Sequence, residues 1–448
     1  MKKRAFLKTS SAVAAGSLLS PFMTYANEDP RQNWAGNLTY STDNLYQPPT
    51  VEQVQAMVKQ HDKLRALGTR HSFNRIADSN HNQLSVEKLG DRLSLNRDAS
   101  TVTVDAGVRY GQLAQYLQAE GFALHNLASL PHISIAGACA TATHGSGDQN
   151  GNLATSVAAL ELVTADGEVV RLSREADQDQ FQGVVVGLGA LGVVTQMTLD
   201  VEPTYEVRQD IYQNLPLTSL QDHFEEIMAY GYSVSLFTDW TNDRINQVWV
   251  KSRVARDMTW KAEPELFGAT LATRNLHPIA EISAENCTEQ LGVPGPWHER
   301  LPHFKMDFTP SSGKELQSEY FVPRQHAVDA ILAVQSLSDQ VAPQILISEV
   351  RSIAADDYWM SPCYQQDCVT LHFTWKPNWP AVQQILPAIE QQLAPYQARP
   401  HWGKLFTMDP AQLQSLYPRL PDFKQLVQQY DPQGKFRNSF LEENLYRS

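Results

Sequence analysis

The stretch that decides the fold is Gly187-Leu188-Gly189-Ala190-Leu191-Gly192, with the runs on either side of it. Its six residues match the dinucleotide fingerprint GxGxxG. That fingerprint binds a pyrophosphate only where a strand leads into the glycines and a helix leaves them. Here the order is reversed: residues 179–186 read as helix and residues 193–201 as an alternating strand. The glycines are therefore expected to form a tight helix-to-strand turn, with backbone able to lie against a ligand. A Rossmann sheet is not expected.

Upstream, apolar residues recur at helical spacing over 51–67 (Val51, Val54, Met57, Val58) and the pattern stops at Gly68. Residues 101–107 alternate as a strand, and 113–124 read as an amphipathic helix. Asp166-Gly167 sits between two strand-like runs, a hairpin signal. Short strands and helices thus mix without the βα rhythm of a doubly wound sheet. Downstream of about Thr204 the texture shifts to aromatic strand-like runs (233–240, 247–250). A Pro-rich stretch (293–310), a helix (324–337) and two alternating strands (345–353, 369–375) follow. The fold class expected is α+β. A first domain over 27–203 is completed by a C-terminal segment, 401–448, and 204–400 forms a substrate or cap domain between them.

The chain has 448 residues, enough for such lobes around a large core, and a net charge of −13. Residues 1–26 have a basic start, a weakly apolar run and small residues ending at Ala26. They read as a secretory signal peptide, too short for a membrane span. Lys3-Arg4-Ala5-Phe6-Leu7-Lys8 resembles a twin-arginine export signal with Lys in place of the first Arg, so a periplasmic location is expected. The general secretory route is the alternative. Removing the segment takes away four positive charges and no negative one, leaving −17. So acidic a chain repels phosphate backbones and anionic lipid, and nucleic acid is not an expected partner. Four cysteines in this length make no disulfide framework. Cys363 and Cys368 could pair, but the four read mostly as buried free thiols.

Two loops carry the chemistry. Leu67-Gly68-Thr69-Arg70-His71-Ser72 is suited to presenting backbone N–H groups to a pyrophosphate. The run from Ala128-Ser129-Leu130-Pro131-His132-Ile133-Ser134-Ile135-Ala136-Gly137 into Thr141-Ala142-Thr143-His144-Gly145-Ser146-Gly147 is dense in small and hydroxylated residues, which let backbone approach a large polar ligand. Glu349 and Arg351, two apart on a strand, point to one face, and Thr370-Leu371-His372-Phe373-Thr374-Trp375 alternates in the same way. Taken by spacing, Glu349 and Arg351 read either as a surface ion pair or as part of a floor for a polyhydroxylated ligand. No metal-ligand spacing stands out: His298 and His303 sit in the Pro-rich stretch without a carboxylate-rich partner.

His71 in its loop, with the later Ser-Leu-Pro-His-Ile loop, resembles the vanillyl-alcohol-oxidase family of FAD enzymes, and within it the alditol-oxidase group. The resemblance extends to residues 33–37, 233–240, 286–304, 318–320, 399–404 and 431–438. It implies a two-lobed FAD-binding domain, with FAD bonded covalently through the imidazole of His71. Leu130 stands where some relatives carry a second linking cysteine, so a single bond is implied and Cys139 is left as a core residue. FAD contacts are implied for Ala66, Leu67, Gly68, Thr69, Arg70, Ser72, Ser129, Ser134, Gly137, Thr141, Ala142, Thr143, His144, Val194 and His401. Glu349, Arg351, Thr374 and Lys404 match positions that hold the polyol, Ser129 touches flavin and substrate, and Gln317 is a further candidate. Arg351 and Lys404 would be catalytic. The implied activity is oxidation of a terminal hydroxyl of xylitol or sorbitol, with O2 as acceptor and hydrogen peroxide as product. Aldonolactone oxidation and a non-catalytic flavin carrier are the alternatives. Oligomeric state is not legible.

Overall fold

The computed structural model describes residues 31–254, 261–305 and 315–447. The export signal read over residues 1–26, and part of the Pro-rich stretch, lie outside the described residues.

The first part of the chain builds two small sheets and a short antiparallel pair, Phe122–Ala123 with Glu202–Pro203. In one, the strands Leu45–Tyr46, Gln83–Ser85 and Arg65–Leu67 run parallel, with Gln83–Ser85 in the middle. In the other, five antiparallel strands follow the order Leu93–Asn96, Thr101–Asp105, Val193–Asp200, Val157–Val163, Val169–Ser173. The last two form the hairpin expected around Asp166-Gly167, and Gly167 takes the left-handed backbone (φ 78°) that such a turn requires.

The glycine-rich stretch is a helix-to-strand turn. The helix Arg174–Val185 precedes it and the strand Val193–Asp200 follows. Gly189 has φ 66° and Leu188 φ 51°. The turn is pinned by the buried Arg65, whose guanidinium donates to Leu188 O (2.5 Å), Gly189 O (2.7 Å), Ile76 O (2.8 Å) and Phe436 O (2.9 Å).

Two expectations need correction. The first helix covers Val51–Gln60, not 51–67: it starts at Thr50, whose side chain accepts from Gln53 N–H, and ends at His61 in extended backbone. Residues 65–67 are a strand, so the Gly68 loop follows a strand rather than a helix. The polar triplet His61-Asp62-Lys63 breaks the apolar stripe, and parallel pairing to Gln83–Ser85 then captures the chain. The second helix is Tyr110–Glu120, stopped by Gly121 at φ 81°, before residue 124 is reached.

From Glu206 the chain forms a ten-stranded sheet, antiparallel in every pairing. At its centre lie Ser233–Thr238, Ile345–Ile353, Cys368–Trp375 and Leu316–Pro323. One face is apolar: Leu236, Val250, Val350, Leu371, Phe373 and Tyr320 pack with residues of the helices Leu217–Met228, Ala327–Gln335 and Trp379–Leu393. Each such side chain contributes roughly 1.5–3 kcal/mol by leaving water. Strand alternation then forces Glu349, Arg351, His372, Thr374, Gln317 and Glu319 onto the other face. After the edge strand Arg399–Pro400 the chain returns to the first core. Trp402, Phe423, Val427 and Leu441 pack there, Leu64 N–H donates to Lys435 O (3.0 Å), and Asn438 donates to the carbonyls of Arg75, Ile76 and Asp78. All four cysteines are buried free thiols; Cys139 lies in the first core, 3.4 Å from Tyr110 Oη.

Candidate active site

A single long cavity is lined by the Ala66–Phe73 loop, the Ala128–His144 region, the glycine turn and the polar face of the large sheet. The Gly68 loop and the Ser134–Gly137 segment touch closely. A Cβ on Gly68 would lie 2.9 Å from Ser134 Oγ, and one on Gly137 2.8 Å from the same atom. A side chain at either position would push the Ser134 hydroxyl aside. Ser134 N–H donates to Thr69 Oγ1 (3.0 Å), and Thr69 Oγ1 lies 3.2 Å from His71 Nδ1. Arg70 holds left-handed backbone without being glycine (φ 65°), at a cost of about 1 kcal/mol or more. Trp34 N–H donating to Arg70 O (2.8 Å) secures it.

The imidazole of His71 stacks on Trp34, with ring centroids 5.3 Å apart and planes 17° from parallel. Burial pushes its pKa down to about 3, so the ring is neutral at physiological pH. Its Nε2 is buried without a protein partner. An unpartnered neutral nitrogen, held by a stack and a hydroxyl contact, is the atom expected to meet a bound group. With the glycine cradle beside it, the site fits FAD. The residues that would hold it are Ala66, Leu67, Gly68, Thr69, Arg70, His71, Ser72, Ser129, Ser134, Gly137, Thr141, Thr143, His144, Val194 and His401, all of which line the cavity. Ala142 does not line it. Its left-handed backbone (φ 53°) turns the methyl into the first core.

On the sheet side, Arg351 donates to Glu319 Oε1 (2.9 Å) and to Ser129 Oγ (3.4 Å), while its Nε stands 3.6 Å from Glu349 Oε1 without a hydrogen bond. Glu349 and Arg351 are both buried, which excludes the surface ion pair. Glu319 Oε1 is also 3.1 Å from His144 Nε2. Burial alone would raise both carboxyls. Instead, His144 and Arg351 hold Glu319 well below the usual carboxylate range, and Arg351 with His303 does the same for Glu349.

Lys404 arrives from the returning C-terminal segment. Its ammonium donates to Gln317 Oε1 and lies 3.0 Å from His372 Nε2. Burial, with Arg351 nearby, lowers its pKa to about 8. Burial and the Lys404 charge keep His372 well below its ordinary value, so the ring is neutral, with Nε2 between the ammonium and Gln317 Oε1 (3.2 Å). Thr374 completes the face, in register with Gln317. His401 is neutral through burial, with its pKa near 3, and lies 6.1 Å from the Phe321 ring in a stacked arrangement.

Sequence reasoning missed His303. It does have a carboxylate partner: Nε2 lies 2.7 Å from Glu349 Oε1. The two are 46 residues apart in the chain, so no local spacing could reveal the pair. His372 and Trp34 were visible only as neighbours of other motifs.

Comparison with known proteins accords with this geometry. The family described as FAD binding domain matches residues 43–173, and the family described as D-arabinono-1,4-lactone oxidase matches residues 308–444. An alditol oxidase from a Streptomyces species is 48% identical over 416 residues, covering 92% of this chain and 98% of that protein. L-gulonolactone oxidase from Mus musculus is 26% identical, covering 93% of this chain and 98% of that protein. Among solved structures, cholesterol oxidase from B. sterolicum superposes with a TM-score of 0.74 over 92% of this chain and 96% of that one, at 16% identity, a likeness of fold alone. With its glycine-cradled cavity, its neutral His71 and that extent of identity, the chain belongs to the alditol oxidase family of FAD-binding oxidoreductases.

Proposed function

We propose that this chain oxidises the terminal hydroxyl of small alditols such as xylitol and sorbitol to the aldose. The observation that carries the reading is the composition of one cavity, in which the FAD-fitting loops share a single space with the buried Glu349, Arg351 and Thr374 and the half-buried Lys404. FAD, when bound, supplies a two-electron acceptor that takes hydride from the CH–OH carbon at N5 and returns the electrons to O2 as hydrogen peroxide.

The chain's own residues bind and polarise. Arg351, kept cationic by Glu349 and Glu319, and Lys404, cationic below about pH 8, stabilise negative charge developing on the reacting oxygen. Glu349 and Thr374 take the next hydroxyls, Gln317 orients Lys404, and Ser129, tied to Arg351, sits between the two halves of the site. His71 attaches the flavin covalently by one bond, since its neutral Nε2 is unpartnered and Leu130 offers no thiol. Residues 1–26 direct export to the periplasm.

A panel under air tests the activity. Xylitol and sorbitol are expected to consume O2 and yield hydrogen peroxide in equal amount, with aldonolactones far slower. Turnover of lactones but not of alditols would overturn the proposal.

A further inference from the structure

The strand Arg244–Val254 presents three alternate side chains, Gln247, Trp249 and Lys251, to the irregular segment 276–304, and none takes part in the chemistry above. Gln247 Nε2 donates to His277 O (2.9 Å), and Trp249 Nε1 donates to Gln247 Oε1 (2.7 Å). Lys251, 1% exposed, donates to three consecutive carbonyls: Arg300 O (2.6 Å), Leu301 O (2.8 Å) and Pro302 O (3.1 Å). An ammonium has three donors and no acceptor, so this set uses it up. Burying this charge among carbonyls is costly and lowers its pKa to about 7, against the pull of Glu349, and an uncharged side chain would fill the same space. What the ammonium adds is a fixed path for residues 300–302. Thr288 supports the same spot, its Oγ1 donating to Pro302 O (2.8 Å) and its N–H to His303 O (2.9 Å).

The next residue is His303. Its ring is boxed edge-on by Trp249 (centroids 5.2 Å) and Phe237 (5.5 Å), and its Nε2 reaches Glu349 Oε1 at 2.7 Å. Both contacts made by Glu349, to His303 and to Arg351, fall on Oε1. Its Oε2 carries no protein hydrogen bond among the described residues, and the residue lines the cavity.

We infer that Lys251 and His303 are positioning residues for substrate selection. Lys251 fixes the backbone before His303, and His303 holds Oε1 of Glu349 so that Oε2 is presented to the inner hydroxyls of the substrate. The inference rests on the alditol reading given above. Without His303 the carboxylate can swing onto Arg351, whose unpartnered Nε is already 3.6 Å away, and the acceptor for those hydroxyls is lost to a two-pronged ion pair.

The test compares xylitol with 1,2-propanediol, which keeps the reacting terminus and the C2 hydroxyl and lacks the inner hydroxyls beyond C2, on the flavin-loaded full chain. His303→Leu is expected to lower the xylitol-over-propanediol ratio of kcat/KM about tenfold or more, the size of one lost binding contact. The change should lie mainly in the KM for xylitol, with the limiting rate of flavin reduction within about threefold. His303→Gln, whose amide can donate from a similar place, should restore much of the ratio. Lys251→Met should shift the ratio in the same sense, several-fold. General damage to packing would slow both substrates alike and would not be rescued by Gln, and that outcome overturns the inference. So does a parent-like ratio in His303→Leu. If Lys251→Met does not fold, the His303 pair decides alone. A parent enzyme that oxidises neither substrate overturns the alditol reading itself, an outcome distinct from failure of the His303 comparison.

Discussion

Lys404 is half-buried in the cavity wall and carries charge only below about pH 8, because desolvation there and the neighbouring Arg351 both oppose its proton. If the ammonium stabilises a developing alkoxide, the rate constant for flavin reduction is full below that pH and falls up to tenfold per unit above it. Stopped-flow reduction across pH 6 to 10 checks the sign, and a rate that climbs through pH 8 would assign Lys404 as the base instead. Thr374→Ala is expected to raise KM several-fold with little change in kcat, as befits a contact made equally in ground and transition states. For His71, the flavin should stay with the polypeptide after acid precipitation, and His71→Ala should release it into the supernatant. Free flavin from the parent protein would refute the covalent bond. At this scale the sequence showed which residue types sat near each other along one strand, as with Glu349 and Arg351. It could not show that they are buried, nor that His303 and Glu319 complete them, because those contacts close across 46 and 32 residues.

Among the elements, the glycine turn and the Gly68 loop matter most. The reversal of helix and strand around residues 187–192 was legible because each flank is long enough to show its period. The strand Arg65–Leu67 was not: three residues have no period, and its pairing depends on a partner strand, Gln83–Ser85, that is equally short. Arg65 ties this strand to two carbonyls of the turn and to those of Ile76 and Phe436, so Arg65→Met leaves buried acceptors unpaired and should cost about 3 kcal/mol or more in urea unfolding. Gly68→Ala should reduce flavin content rather than overall fold, since the added methyl would stand 2.9 Å from Ser134 Oγ in the cradle. Flavin-to-protein absorbance ratios measure this, and full flavin loading in Gly68→Ala would mean the close approach is not needed.

In the molecule as a whole, the site is assembled from parts the chain supplies at great separation: the loops near residues 71 and 129, the large sheet at 349–374, and Lys404 on the returning segment. The alternation of the sheet strands was readable, and it dictates that one face packs helices while the other is polar. Which strands would neighbour each other was not readable, because pairing order follows from the packing of the complete core. If residues 1–26 export the folded, flavin-loaded protein, replacing Lys3 and Arg4 should leave it in the cytoplasm, as cell fractionation would show; dependence on the general secretory route instead would refute this. The central claim is that sheet and loops present one substrate carbon to one flavin, with Lys404 acting on the transition state. Anaerobic stopped-flow reduction of the parent and of Lys404→Met by xylitol tests it most directly. The parent flavin should bleach, and Lys404→Met, with fold and flavin intact, should do so at least about 100-fold more slowly, equivalent to roughly 3 kcal/mol or more; reduction within about threefold of the parent rate would contradict it.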